Sequence, residues 1–138
     1  FKSKFKEDII ITNCDTIVEI NFKEILDYHK KNKYDLTVVA ATKEIEVPYG
    51  TCVTDSLGEL KKLKEKPKYN LLVNVGFYVL KPEILQLVKN NTFLSMTNFI
   101  NYLQSKNYKI GVFPCHENFW KDIGQWEEYE KSLKNLRY

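Results

Sequence analysis

The sequence predicts an α/β layered fold: a mostly parallel sheet flanked by helices, with one β-hairpin excursion. Three observations carry that expectation. Nearly continuous apolar runs such as "IIIT" and "LTVVAAT" are the pattern of strands covered on both faces of a sheet. Between them lie stretches whose apolar residues recur at i, i+3 and i+4, the helical period. Two short alternating runs flank Asp55-Ser56-Leu57-Gly58, where the glycine can take the positive φ of a tight turn.

Taken in order, residues 8–18 open as a strand, and the polar trio Asn13, Cys14 and Asp15 falls at the carboxyl end of its apolar run. Asn21 with Glu24 has capping-box spacing, and Phe22, Ile25, Leu26 and His29 share the face of the helix that follows. His29 reads as a helix-face residue with no chemical role. "YDLTVVAAT" (34–42) is the next buried strand, and strand-helix-strand succession implies a right-handed crossover between parallel neighbours. Residues 48–67 form the hairpin, ending at Pro67. "LLVNVGFYVL" (71–80) is a further apolar strand, interrupted by Asn74 and Gly76. Pro82 opens a short helix carrying Ile84, Leu87 and Val88. Met96, Phe99, Ile100 and Leu103 mark another helix, "KIGVFPC" (109–115) a strand, and "WEEYEKSLKNL" a last helix starting near Gly124 or Gln125. No internal repeat or flexible linker divides the chain.

With 138 residues, 43% of them hydrophobic and 14% aromatic, the chain can bury a core of its own. It starts at Phe1 and its one methionine is Met96, so it reads as part of a longer protein, a partial domain over residues 1–138. Lys and Arg number 21 against 18 acids, for a net charge of +3, and the lysines are scattered. That argues against a nucleic-acid partner, which needs a concentrated basic face. Cys14, Cys52 and Cys115 are odd in number and lack CxxC spacing, which suits a reducing, cytoplasmic setting. No apolar run reaches the length of a membrane span.

Where a sheet's strands end, polar interruptions must be weighed as a site. Asp15 could hold a hard divalent cation through oxygen, or simply terminate its strand. Asp122 in "FWKDIG" could join it around the same cation, or cap the last helix. Glu65 can accept hydrogen bonds from sugar hydroxyls and Lys66 can offer a point charge to phosphate, although a solvated strand end explains both. Pro67 biases Lys66 toward extended backbone, which sends the two side chains to opposite sides unless the chain bends there. Asn74 and Gly76 admit close approach of a ligand or another backbone, or mark a β-bulge. Gly50 permits a similar approach, or a turn.

In sequence order, "IIITNCDT", "PYGTCVTDSLGELKKLKEKP", "NVGFYVL" and "FWKDIGQWEEY" resemble the sugar-phosphate nucleotidyltransferases, also called nucleoside-diphosphate-sugar pyrophosphorylases. The resemblance spans nearly the whole chain and implies a Rossmann-like sheet of the nucleotide-diphospho-sugar transferase type, truncated at its amino end. The implied activity is nucleotidyl transfer from a nucleoside triphosphate to a sugar 1-phosphate, with magnesium (Mg2+) as cofactor and pyrophosphate as the leaving group. It assigns Asp15 and Asp122 to the metal, Lys66 to the sugar phosphate and Glu65 to a sugar hydroxyl. Gly50 and Asn74, with Gly76 beside it, become substrate-binding positions, and Phe119, Trp120 and Trp126 pack or wall the cleft. The family commonly has glycine where Cys14 stands.

The family's glycine-rich loop and its base-reading segments have no counterpart here, so they are expected upstream of Phe1, and this polypeptide alone is expected to be nearly inactive. It looks closest to a small bacterial branch in which paired CBS domains precede such a domain. Three other readings stay open: a metal-dependent glycosyltransferase, although that class usually shows a DxD pair where this chain has Asn13-Cys14-Asp15; a choline-phosphate cytidylyltransferase; and a non-catalytic, sugar-phosphate-binding regulatory domain. Base, sugar and oligomeric state, a homo-oligomer included, are left open.

Overall fold

The computed structural model describes residues 5–89 and 91–124. The isoleucine run forms β1 (Ile9–Thr12), and a turn through Cys14 and Asp15 leads into the short β2 (Thr16–Val18). Asn21 caps α1 (Phe22–Lys31) as its spacing to Glu24 foretold: its side-chain oxygen accepts from the Lys23 amide at 3.1 Å, and its side-chain nitrogen donates to Glu24 at 3.0 Å. There follow β3 (Leu36–Glu46), the hairpin β4 (Thr51–Thr54) and β5 (Leu60–Lys64), β6 (Lys68–Leu80), α2 (Pro82–Leu85) and α3 (Met96–Ser105). β7 (Ile110–His116), a 3-10 turn (Glu117–Phe119) and β8 (Trp120–Asp122) complete the described elements. The last expected helix, with Trp126, lies beyond Gly124 and outside the described residues.

The main sheet has the order β1-β6-β3-β7. β1, β3 and β7 share one direction, β3 and β7 as true parallel neighbours, while β6 runs antiparallel between β1 and β3. The expected crossover between adjacent parallel strands is therefore not what β1, α1 and β3 make, because β6 is inserted between them. Residues Val75 to Leu80 of β6 are all buried, which qualifies that strand for an interior position. β1, read as covered on both faces, has one neighbour in the described sheet and leaves Ile10 39% exposed.

Period-two alternation splits the core between the two faces of the sheet. On one face Val75, Phe77 and Val79 of β6 join Val39, Ala41 and Ile25 of α1. On the other, Tyr78 and Leu80 join Leu36, Ile84 of α2, and Phe99 and Leu103 of α3. The hairpin behaves as its turn chemistry predicts: Asp55 accepts from the Leu57 and Glu59 amides at 2.9 and 3.0 Å, and Gly58 sits at φ +86°.

His29 is more than a helix-face residue, since it is buried with its Nδ1 2.7 Å from the Thr37 hydroxyl. Its Nε2 has no hydrogen-bond partner among the described residues and lies 3.9 Å from the Asp8 carboxylate. Burial lowers its pKa, and the pull of Asp8 in the opposite direction does not overcome that. The unfolded chain therefore binds the His29 proton more readily than the folded one. Stability should be full above about pH 6.5, the ordinary histidine value, and decline as pH falls from there toward the lower folded value. Urea midpoints measured at neutral and mildly acidic pH should show that decline, and His29→Gln should flatten it; a wild-type midpoint that does not move would count against the neutral buried imidazole. Asp35 belongs to a lower window. Burial pushes its carboxyl up, but hydrogen bonds from the Lys81 ammonium and the Lys109 amide outweigh that and hold it below the usual carboxylate range.

Candidate functional site

A two-stranded ladder brings Asp15 to Asp122. β2 is built of Thr16, Ile17 and Val18, β-branched residues suited to extended backbone, and pairs antiparallel with β8 in the register Thr16↔Asp122, Ile17↔Lys121 and Val18↔Trp120. The ladder is extended at both ends, by the Ile123 amide donating to the Asp15 carbonyl at 2.9 Å and the Glu19 amide donating to the Phe119 carbonyl at 2.9 Å. Gly124 lies against both acids. A Cβ built on it would stand 2.9 Å from Asp15 Oδ2 and 3.1 Å from Asp122 Oδ1, so its bare Cα leaves a small space flanked by two carboxylates. The Gly124 amide donates to Asp122 Oδ1 at 3.1 Å and fixes one of those oxygens.

The two acids line a pocket of about 140 Å³ together with Asn13, Asn74, Gly76 and Trp120. Carboxylate oxygens are the donors that a hard divalent ion takes, so the pair lining this pocket fits such an ion. Trp120 walls the pocket, while Phe119 is 49% exposed. Of the alternatives offered for Asn74 and Gly76 the bulge is present, and the space at Gly76 is taken by a side chain and not by another backbone. That side chain is Asn13 of the same chain.

Gly50, Glu65 and Lys66 do not line that pocket; they meet at the base of the hairpin. A Cβ on Gly50 would come 3.0 Å from Glu65 Oε2, so the glycine makes room for that carboxylate. Lys66 departs from the extended conformation expected ahead of a proline, lying at φ +40°. The connection from β5 into β6 is only Glu65, Lys66 and Pro67, with Pro67 buried and its carbonyl accepting from the Val47 amide at 3.0 Å. That anchoring outweighs the local bias at a cost of about 1–3 kcal/mol.

Sequence reasoning missed Tyr78, which read as one more apolar strand residue. Its hydroxyl accepts from the Asn74 side chain at 2.8 Å, and it lines the acid pocket. The one available signal was a polar tip in an otherwise apolar run. The ladder of β2 and β8 was also missed, since three-residue strands carry too little pattern to read.

A model of the nucleotidyl transferase family matches residues 1–137 of this chain. The glucose-1-phosphate adenylyltransferase of Lachnospira eligens is 29% identical over 94% of this chain and 33% of its own length. Mannose-1-phosphate guanylyltransferase 1 of Arabidopsis thaliana is likewise 29% identical, over 93% of this chain and 36% of its own length. The crystal structure of HddC from Yersinia pseudotuberculosis superposes with a TM-score of 0.63 at 21% identity, over 94% of this chain and 56% of that one. The chain thus spans about a third of the length of the curated relatives it matches.

Proposed function

This chain belongs to the nucleotidyl transferase family, and from that premise we propose that it carries part of the active site for transferring a nucleotidyl group to a sugar 1-phosphate. The observation that carries the reading is the convergence of Asp15 and Asp122 on the bare Cα of Gly124. In the reaction a sugar-phosphate oxygen attacks the α-phosphorus of a nucleoside triphosphate in line. The bond from that phosphorus to the bridging oxygen breaks, and pyrophosphate leaves. Such chemistry asks the protein for positioning and charge neutralisation.

Asp15 and Asp122 would hold Mg2+ through their carboxylate oxygens, the donor type this ion takes. When bound, the ion would neutralise charge on the reacting phosphates. Lys66 would place its ammonium against the sugar phosphate, and Glu65 would accept hydrogen bonds from the sugar ring, in the room left by Gly50. Asn74 and Gly76 share the pocket of the acids. The relatives' names cover adenylyl and guanylyl groups, glucose and mannose, so base and sugar are not fixed by kinship. A cytoplasmic setting accords with the free thiols of Cys14, Cys52 and Cys115, and no helix among the described residues is long and apolar enough to cross a membrane.

The complete natural polypeptide should release pyrophosphate from a nucleoside triphosphate and a sugar 1-phosphate in the presence of Mg2+, whereas residues 1–138 alone should turn over little or not at all. Release of a nucleoside diphosphate from a nucleotide sugar would instead indicate a glycosyltransferase, and activity on choline phosphate a cytidylyltransferase. Sugar-phosphate binding without any turnover would favour a regulatory domain.

Gly124→Ala gives a sharper test of the acid pair. Among the described residues the atoms nearest to the added methyl are side-chain oxygens and the Asp15 Cγ, which can give way without moving backbone, so the fold should be kept while the Asp15 carboxylate must move. The Mg2+ concentration for half-maximal rate should rise roughly tenfold. An unchanged Mg2+ requirement would separate the carboxylates from the metal.

A further inference from the structure

We propose that Asn74 and Gly76 act as positioning residues for Asp15, working through Asn13. Between the pairs Val38↔Tyr78 and Ala40↔Asn74, β3 contributes Val39 alone while β6 contributes Val75, Gly76 and Phe77. The surplus chain forms a bulge, with Gly76 at φ +74°. The Asn74 amide holds that bulge from both sides: its oxygen accepts from the Gly76 amide at 3.0 Å, and its nitrogen donates to the Tyr78 hydroxyl at 2.8 Å.

Gly76 in turn fixes Asn13 in two ways. Its carbonyl accepts from the Asn13 amide at 2.9 Å, one step beyond the last β1–β6 pair, Thr12↔Phe77. Its missing Cβ is the space that the Asn13 side chain occupies, since a Cβ there would fall 2.5 Å from Asn13 Nδ2 and 2.6 Å from Asn13 Cγ. Two residues on, the Asp15 carbonyl is held by the Ile123 amide. The turn carrying the Asp15 carboxylate is therefore suspended between two anchors, the bulge of β6 on one side and the β8 segment on the other. The shape of the bulge sets where Asn13 sits, and so where the carboxylate points.

This inference rests on the metal-binding reading of Asp15 and gives Asn74 a role different from sugar contact. The test uses the complete natural polypeptide, with Mn2+ as a probe that oxygen sites of this kind accept. Binding is followed by water-proton relaxation without substrate, alongside the sugar 1-phosphate KM. Asn74 is exposed, so Asn74→Ala removes little packing and should leave the protein folded. Mn2+ binding should weaken roughly tenfold, the usual consequence of removing a group that orients a metal ligand, while the sugar 1-phosphate KM stays near its wild-type value. Asn74→Ser, whose hydroxyl can accept from the amide two residues on, should recover part of the loss.

A raised sugar 1-phosphate KM with unchanged Mn2+ binding would overturn the proposal, because Asn74 would then be touching substrate. Asp15→Asn separates the two levels. If it weakens Mn2+ binding and Asn74→Ala does not, the positioning role alone fails. If Asp15→Asn leaves Mn2+ binding intact, the metal reading fails and the positioning role falls with it.

Discussion

Asp122→Ala in the complete natural polypeptide should lower the turnover of nucleotidyl transfer by about a hundredfold to a thousandfold, the scale seen when one preorganised group facing developing charge is removed. Asp122 stands in register with Thr16 on the β2–β8 ladder and shares the Gly124 cradle with Asp15. If the two acids share the ion as proposed, a single carboxylate would be left to hold it, and saturating Mg2+ should restore only part of the rate. The change also removes a hydrogen bond that supports the fold. The Asp122–Gly124 hydrogen bond lies in an exposed turn and is worth about 1 kcal/mol. Turnover and Mg2+ titrations, read beside a urea denaturation curve, distinguish the two effects. Unchanged turnover with retained Mg2+ dependence would remove Asp122 from the mechanism.

Leu80→Ala should be the costliest of these changes for the fold, lowering stability by about 3 kcal/mol, within the range for truncating a fully buried leucine. Leu80 has no exposed surface and pairs with Ile9 on one side and Leu36 on the other. It also belongs to the cluster with Ile84, Phe99 and Leu103 that fastens α2 and α3 to the sheet. The emptied volume opens where three elements meet, which leaves the surroundings little freedom to collapse. Leu57→Ala serves as the comparison: Leu57 is 92% exposed at the hairpin tip, so its change should stay within about 0.5 kcal/mol. Equilibrium urea denaturation reads both, and a loss under about 1 kcal/mol for Leu80→Ala would mean that the two-faced core is misassigned.

Much of the local architecture was legible because its causes are local. The Asn21–Glu24 cap, the Asp55–Gly58 turn and the helical stripe of Met96 to Leu103 each depend on residues within a few positions of one another. The two acids stood out as candidates by their places in the sequence and were assigned to a metal by resemblance, and their chemistry is intrinsic to the side chains. Other features escaped for a common reason. The place of β6 between β1 and β3, the edge position of β1 among the described strands and the pairing of β2 with β8 are matters of which strands meet. Ladder hydrogen bonds join backbone groups that every strand carries alike, so an apolar run records how deeply it is buried but not beside what. Lys66 escaped for a related reason, its backbone being set by the buried Pro67 and by Val47 against its own local preference.

The amino-acid sequence by itself determined the element types, the hairpin, the caps and the chemical kinds of group available for a site, because periodicity, turn chemistry and side-chain functionality are short-range properties. Only the tertiary structure decided that Asp15 and Asp122 face one space, that Glu65 and Lys66 sit apart from it at the hairpin base, and that the β6 bulge reaches the acid turn through Asn13. Each of those depends on backbone pairing between segments distant in the chain, where the free energy comes from the assembled sheet and not from any one stretch of it.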